Sequence, residues 1–325
     1  MYMKHIVAIC IILFLAGCFP TNIKLISDGT EPLHEFTVEG KGKDKILIVS
    51  VQGVINDQPE KGMLRTRQGL VSEVLAQLKK AESDEDIKAV VLKVDSPGGT
   101  VTASDILYNE IKRFKERKGI PVVVSIMNMG TSGAYYLSLP ADRIMAHPTS
   151  ILGSVGVIYM RPKVYGLMDK IGIGMEVNTS GSAKDMGSPF KASTDEEQRY
   201  FQAIIDPLAA RFYHLVNINR KPNAEAFAKI KTAAVFLPDE ALKLGLIDGI
   251  AYLPETISAT EKLAGIEGKA RVVTYRRDQF YDDTLYNNAS AELFQGEPLR
   301  VNLPGFMDFQ TGFYYLCPML SEHHR

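Results

Sequence analysis

A serine flanked by small residues follows an apolar run near the middle of the chain. In "IPVVVSIMNMGTSGAYY" (residues 120–136), Ser132 lies between a Gly-Thr pair and a Gly-Ala pair. A serine at the end of a buried strand, with glycine on either side, predicts an exposed nucleophile for acyl transfer. That chemistry needs a base that takes the hydroxyl proton, and donors that stabilise the oxyanion.

Two glycine N–H groups are candidates for the oxyanion hole. The stretch "DSPGGT" (residues 95–100) ends another apolar run, and the N–H of Gly99 can point outward there with no side chain in the way. The N–H of Gly133, directly after the serine, supplies the second donor. A helix that opens at Ser132 also favours negative charge at its N-terminus. A plain strand-to-helix turn is the alternative explanation of "SPGG".

The sequence contains no histidine that is plainly placed to activate Ser132. His214 lies in a long helical pattern beside Phe212 and Leu215, which is typical of a surface or packing residue. A Ser132–His214–Asp esterase stays an alternative. Against it, "GTSGA" departs from the G-x-S-x-G nucleophile elbow of α/β-hydrolases.

A lysine is the other candidate base, because a buried amine can be held uncharged. Lowering a lysine pKa from about 10.4 to about 7–8 requires roughly 3–4 kcal/mol of desolvation and positioning. Lys184 follows a Gly/Ser-rich turn in "TSGSAKDMGSPF" (residues 179–190), and Ser154 in "GSVG" offers a hydroxyl that can orient an amine. Local sequence alone does not select Lys184 from the other lysines.

Strand and helix patterns alternate around these residues. Apolar runs predict strands that begin near Lys45, Ile87 and Ile120, and helical spacing predicts helices between them. The helix after "DSPGGT" has Thr102 or Ser104 as its expected cap. This alternation favours an α/β fold with a mostly parallel sheet and crossover helices.

Three more local expectations concern the second half of the chain and the helix after "DSPGGT". "GMEVNTSG" (residues 174–181) predicts one more strand, and a long helix over 193–221 is expected to bend or divide at Pro207. The apolar stripe of the helix after "DSPGGT" consists of Ile106, Leu107, Ile111 and Phe114.

The N-terminus resembles an export signal. Lys4 precedes an unbroken apolar run over 6–16, too short to span a membrane, and "LAGC" then ends at Cys18. This arrangement resembles a bacterial lipobox, which predicts a lipidated Cys18 and a membrane-anchored protein of the cell envelope. Cys317 is then the one remaining thiol of the mature chain, expected to be buried, so no disulfide framework is expected.

Charge excludes one class of partner. The 325 residues carry 37 basic and 38 acidic side chains, and no basic stripe is present, so no nucleic-acid partner is expected. No metal-binding motif stands out, and neither a metal nor another cofactor is expected.

Four blocks together resemble the signal peptide peptidase SppA family. They are "VDSPGGT", "MGTSGAYYLSLPADRIMAHPTSILGSVGV", "SGSAKDMGSPF" and "EALKLGLIDGI", in the order and spacing of that family, from about residue 46 to 250. The family consists of membrane-associated serine–lysine peptidases of the ClpP/crotonase superfamily, built from repeated β-β-α units. The resemblance is to its short, single-repeat form. Two departures are the lipobox in place of a transmembrane anchor, and a longer C-terminal tail.

The resemblance implies a role for each candidate residue. It makes Ser132 the nucleophile, Lys184 the general base and Ser154 the hydroxyl that orients the lysine, with Gly99 and Gly133 as the oxyanion hole. It also implies a homo-oligomeric ring in which the dyad forms between protomers, and apolar peptide substrates such as cleaved signal peptides.

The expected domain plan follows from these features. Residues 1–18 form the signal peptide with its lipobox, 19–44 a tether, 45–265 the peptidase domain, and 266–325 a C-terminal extension that docks on the ring. Two further alternatives stay open besides the esterase. One is a crotonase-like enzyme acting on acyl-CoA, and the other is a non-catalytic lipoprotein with the same fold.

Overall fold

The computed structural model describes residues 31–61, 66–277, 283–287 and 312–317. The predicted signal peptide and Cys18 lie outside these ranges. Within them, no helix is long and apolar enough to cross a membrane. Cys317 is buried, as predicted.

Fourteen strands and eight helices make up the described part of the chain. The strands are β1 (His34–Glu39), β2 (Lys45–Gln52), β3 (Glu60–Lys61), β4 (Thr66–Arg67), β5 (Ile87–Ser96), β6 (Gly98–Thr100), β7 (Val122–Thr131), β8 (Arg143–Ala146), β9 (Ile151–Gly153), β10 (Ile158–Met160), β11 (Val235–Phe236), β12 (Gly249–Ile250), β13 (Arg271–Arg276) and β14 (Gly312–Leu316). The helices are α1 (Leu70–Glu82), α2 (Val101–Lys118), α3 (Gly133–Ser138), α4 (Tyr165–Lys170), α5 (Asp195–Arg220), α6 (Ala224–Ile230), α7 (Pro238–Lys243) and α8 (Leu253–Leu263).

The main sheet has the order β1-β13-β2-β5-β7-β8-β12, and β9 joins it beside β7. All pairs from β13 to β12 are parallel, whereas β1 on β13 and β11 on β9 are antiparallel. The predicted α/β class with a mostly parallel sheet is therefore confirmed. This order brings the ends of β5 and β7 together, which is where the glycine pair and Ser132 lie.

Helices cover both faces of this sheet, which explains the near-continuous apolar strands. Along β5, Val90 and Leu92 pack into a core that contains the apolar faces of α1 and α2, while Ala89 and Val91 face a second core under α8. Because both faces are buried, the strands show no polar alternation. The apolar runs in the sequence therefore predicted β2, β5 and β7 correctly.

The structure corrects two details of α2. Its N-cap is Thr100, whose side chain accepts a hydrogen bond from the Ala103 N–H, rather than Thr102 or Ser104. In the expected stripe, Ile106 is 37% exposed, and the small side chain of Ala103 is buried instead. The helix starts one turn earlier than predicted because β6 ends directly at its cap.

One prediction in the second half of the chain is wrong, and the division expected as one of two outcomes at Pro207 does not occur. Residues 174–181 form no strand, and no described strand lies alongside to pair with them. Helix α5 is not divided but runs through Pro207. Pro207 has no N–H to donate to the Ala203 carbonyl. Both residues lie on the exposed side of the helix, so this carbonyl can be hydrated.

The main sheet extends beyond residues 45–265 on both sides. Strand β1 lies within the expected tether, and β13 lies within the expected extension, yet the two pair with each other and β13 pairs with β2. The folded body therefore starts before Lys45 and includes the first residues of the C-terminal part.

Candidate active site

Ser132 directly follows β7 and has a strained backbone conformation. Its φ of 53° and ψ of −116° are sparsely populated for a residue with a side chain, and such a conformation costs about 1–3 kcal/mol. Two hydrogen bonds hold it in place: its N–H donates to the Gly153 carbonyl at 2.8 Å, and its carbonyl accepts from the Tyr136 N–H at 2.9 Å. Strain that the surroundings enforce in this way is typical of a functional site.

The side chain of Ser132 is buried rather than exposed. Its relative exposure is 0%, and its Oγ has no hydrogen-bond partner among the described residues. An unpaired buried hydroxyl is unfavourable by about 1–3 kcal/mol. The prediction of an exposed nucleophile is thus wrong, although no described residue hydrogen-bonds to the hydroxyl.

The backbone of Gly99 lies against that of Gly133. A Cβ on Gly133 would be 3.1 Å from the Gly99 nitrogen and would collide with Ser104 Oγ, while a Cβ on Gly98 would be 2.8 Å from the Gly133 nitrogen. Gly98 also has a φ of +101°, which disfavours any other residue. The two N–H donors proposed from sequence are therefore close together, beside Ser132.

A network that the sequence did not indicate supports the nucleophile's helix. The hydroxyl of Tyr136 in α3 donates to Asp105 Oδ1 in α2, and Arg211 in α5 donates to the same oxygen through Nε and Nη2 at 3.0 and 2.7 Å. Burial raises the pKa of Tyr136, and its bond to Asp105 adds to this effect. Because these three residues lie on three different helices, no local pattern identifies them.

Ser154 lies one residue beyond the strand partner of Thr131. Strand β9 pairs with β7 through Thr131 and Gly153, which brings Ser154 close to the end of β7. Ser154 has a φ of 51°, and its N–H donates to the Ala234 carbonyl at 2.8 Å. It lines a cavity of about 400 Å³, whose other walls include Ile158, Ile205, Ala209 and Leu316.

Lys184 is not joined to Ser132 within this protomer. Its side chain is exposed, and the Ser132 hydroxyl has no partner in the part of the chain that the structure describes. His214 is also exposed, on the outer surface of α5, and His147 packs against Tyr252. Within the described ranges, the structure therefore brings together Ser132, the two glycines and Ser154, while neither Lys184 nor His214 is bonded to the serine hydroxyl.

Two protein-family models and several known proteins match parts of this chain. A model of peptidase family S49 matches residues 114–267, and a model of Clp protease matches residues 64–155. An SppA signal peptide peptidase homologue of Enterococcus faecium is 31% identical over 259 residues, which cover 79% of this chain and 75% of that protein. Protease 4 of Haemophilus influenzae is 31% identical over 244 residues, 74% of this chain and 38% of the relative.

Among solved structures, a lysine-to-alanine mutant of the 1510-N membrane-bound stomatin-specific protease, in complex with a substrate peptide, is 16% identical. The match covers 75% of this chain and 96% of that one, with a TM-score of 0.41. Because the Enterococcus faecium relative is 31% identical and is covered over 75% of its length, this chain belongs to the SppA family of ClpP-like serine peptidases, peptidase family S49.

Proposed function

We propose that this serine peptidase uses Ser132 as nucleophile and Lys184 of a neighbouring protomer as general base, and that it cuts apolar peptides such as signal-peptide remnants. The observation that carries the proposal is the Ser132 hydroxyl. It is held in strained geometry beside two glycine N–H groups, and its Oγ has no hydrogen-bond partner among the described residues. The base is therefore proposed to come from a neighbouring protomer.

The reaction requires one proton carrier. Ser132 Oγ attacks the peptide carbonyl carbon while the uncharged Lys184 amine accepts the hydroxyl proton. The oxyanion accepts hydrogen bonds from the N–H groups of Gly99 and Gly133. Collapse of the intermediate breaks the C–N bond, and Lys184 protonates the leaving amine. Water then hydrolyses the acyl-enzyme, with Lys184 again acting as base.

The surface around Lys184 supports a dyad that forms between protomers. Exposed apolar side chains occur along the same segment, residues 165–190, at 43–61% relative exposure, and the set is Tyr165, Leu167, Ile171, Ile173, Met175, Val177 and Phe190. Exposed apolar surface of this extent is typical of an interface. Its burial against a neighbour would remove Lys184 from water and so keep its amine uncharged. Ser154 is proposed to orient that amine.

The substrate and the location belong to the same proposal. Lipidation of Cys18 would anchor the ring at the bacterial envelope membrane, where apolar peptide remnants emerge. Relatives named signal peptide peptidase and protease 4 support the peptide substrate class.

Mixing two inactive variants tests the shared dyad. Ser132→Ala and Lys184→Ala, each inactive on a panel of apolar peptides, should recover activity when unfolded together and reassembled as mixed oligomers. Lys170→Ala is the matched control, since this exposed lysine lies on the same segment at the end of α4, and it should keep full activity.

Three results would contradict the proposal. A monomer with full activity would rule out a dyad shared between protomers. Active Lys184→Ala combined with inactive His214→Ala would favour the esterase. Failure of a fluorophosphonate probe to label Ser132 would favour a non-catalytic lipoprotein.

A further inference from the structure

The exposure of the chain changes directly after Lys184. Every residue from 171 to 184 is exposed, whereas residues 185–189 are half-buried. Backbone hydrogen bonds close the turn at this boundary, where the Ser188 N–H donates to the Asp185 carbonyl at 3.0 Å. The protomer therefore supports the chain on the C-terminal side of Lys184, although the chain on its N-terminal side lies open.

Charged side chains of alternating sign join this turn to α5. Asp185 lies 2.8 Å from Lys191 Nζ, and the same Nζ lies 2.8 Å from Glu197 Oε1. The Glu197 side chain is 2% exposed, and its other oxygen lies 3.5 Å from Arg161 Nη1. These four residues form the ion cluster. Because removal of one partner leaves a buried charge uncompensated, the ion cluster resists displacement of Asp185, the direct neighbour of Lys184.

Arg161, directly after β10, is held from three sides. Its guanidinium lies 4.6 Å from the centroid of the Phe201 ring, and its Nη2 donates to Ser193 Oγ at 3.0 Å. The contact with Glu197 is the third. Stacking on an aromatic face combined with directional hydrogen bonds fixes the plane of a guanidinium. Arg161 therefore gives the ion cluster a fixed end on the folded body.

Gly187 brings the backbone of the turn onto the same support. It has a φ of +82°, and a Cβ there would lie 3.2 Å from both Phe201 Cζ and the Tyr159 hydroxyl oxygen. The rings of Tyr159 and Phe201 stack with their centroids 4.3 Å apart. A residue with a side chain fits neither this conformation nor this close approach. The turn is therefore seated on the two rings three residues after Lys184.

The backbone beyond the turn is held as well. Lys163 Nζ donates to the carbonyls of Ser188 and Lys191 at 2.7 and 3.1 Å. The N–H of Val164 donates to the Pro189 carbonyl at 2.9 Å. Ionic contacts and main-chain contacts thus act together on the few residues that follow Lys184.

We propose that Arg161, Glu197 and Gly187 are positioning residues for the general base, which fix the turn that presents Lys184 to the serine of a neighbouring protomer. This inference rests on the proposed function, because it takes Lys184 as the base. Among the described residues, none of the three is bonded to the Ser132 hydroxyl, so they act through Lys184. Since a misplacement of about 1 Å can lower a rate about 10²-fold, their loss should lower kcat rather than weaken substrate binding.

Mixed oligomers test which half of the dyad these residues serve. Ser132→Ala protomers supply only the lysine, and Lys184→Ala protomers supply only the serine. Glu197→Gln in the lysine-supplying protomer should lower kcat on an apolar peptide about tenfold or more, with KM within about threefold. The same substitution in the serine-supplying protomer should leave kcat unchanged. A general structural role would lower kcat equally in both mixtures, and that result would overturn the proposal.

Two matched controls accompany the variants of the lysine-supplying protomer. Glu196→Gln, at the exposed neighbour of Glu197 on α5, should keep kcat unchanged. Gly187→Ala should lower kcat about tenfold, because its Cβ pushes the turn away from the two rings. Gly172→Ala should not, since Gly172 also has a positive φ, +72°, but a Cβ there would have no atom within 4 Å. Equal losses for the two alanine variants would overturn the role of Gly187.

Hydrogen exchange separates this inference from the proposed chemistry. In the full-length protein, Glu197→Gln should speed millisecond amide exchange across residues 181–188 about tenfold and leave the main sheet unchanged, because only local opening is promoted. Faster exchange supports the anchoring of the turn even if Lys184→Ala stays active, a result that would instead remove Lys184 as the base. Unchanged exchange overturns the inference even if the Ser132–Lys184 chemistry holds.

Discussion

The region around Ser132 and the segment around Lys184 differ in almost every physical property. Every residue of α3, which follows Ser132, is buried, and backbone hydrogen bonds on both sides hold the strained serine. Residues 171–192, by contrast, contain neither helix nor strand and expose apolar side chains such as Ile173 and Val177. One half of the proposed dyad is fully built by a single protomer, and the other half is not.

This difference indicates where the second half of the proposed dyad is completed. Burial of an isoleucine or valine side chain stabilises by about 1.5–3 kcal/mol, and this gain is missing for the exposed residues around Lys184. Contact with a neighbouring copy would supply this burial energy, and the same contact would bring Lys184 to a serine. Activity would then depend on assembly, which prevents a single protomer from cutting peptides.

The largest expected effect on activity concerns the region around Ser132. Gly133→Ala places a Cβ against Ser104 Oγ and 3.1 Å from the Gly99 nitrogen, so the two donors must separate. We expect kcat on an apolar peptide to fall by about 10²–10³-fold, the usual loss for one oxyanion donor. A Cβ on Gly166, in the segment around Lys184, would have no atom within 4 Å, so Gly166→Ala should leave kcat unchanged. A folded Gly133→Ala protein with full activity would contradict the proposed role of the Gly133 N–H.

A smaller effect on activity is expected for the segment around Lys184. Ile173→Asp puts a charge into the apolar surface near Lys184, and we expect association to weaken by about 2 kcal/mol, or roughly 30-fold, with activity falling in parallel. Ile218→Asp is the control, because Ile218 is also half-exposed but lies on α5. Sedimentation velocity at several concentrations measures the assembly. An unchanged oligomer with unchanged activity would show that this surface is not the interface.

The smallest effect concerns the ion pairs beside Lys184. Lys191 Nζ lies 2.8 Å from both Asp185 and the buried Glu197, which ties the end of the segment to the first turn of α5. The Lys191 ammonium holds the pKa of the Glu197 carboxyl below its usual range.

A depressed carboxyl pKa gives stability that is present above the ordinary pKa of about 4.5 and is lost as the pH falls further, because the unfolded chain takes up its proton first. We expect Glu197→Gln to lower the free energy of unfolding by about 1 kcal/mol at pH 7, and to reduce the loss of stability between pH 5 and pH 3. Urea unfolding at each pH measures both. A variant with the wild-type acid dependence would contradict the assignment to Glu197.

Ser132 and the two glycines could be singled out from the sequence because their signals are local. An apolar run, a serine and glycines that follow strands all occur within a few residues, and the sheet order then brings Gly99 beside Gly133. Residues 174–181 show the limit of such patterns. Their apolar alternation suggested a strand, but a strand forms only where another edge can pair with it.

Amino-acid order alone predicted the alternation of strands and helices and singled out Ser132 with two glycine N–H groups, because short-range periodicity and side-chain size carry these signals. Only the folded chain decided that Tyr136, Asp105 and Arg211 connect the helix after Ser132 to α2 and α5, and that the Tyr315 ring stacks on Tyr136. These contacts join residues up to about 200 positions apart, and their energy comes from packing and hydrogen bonds that exist only after the chain has closed on itself.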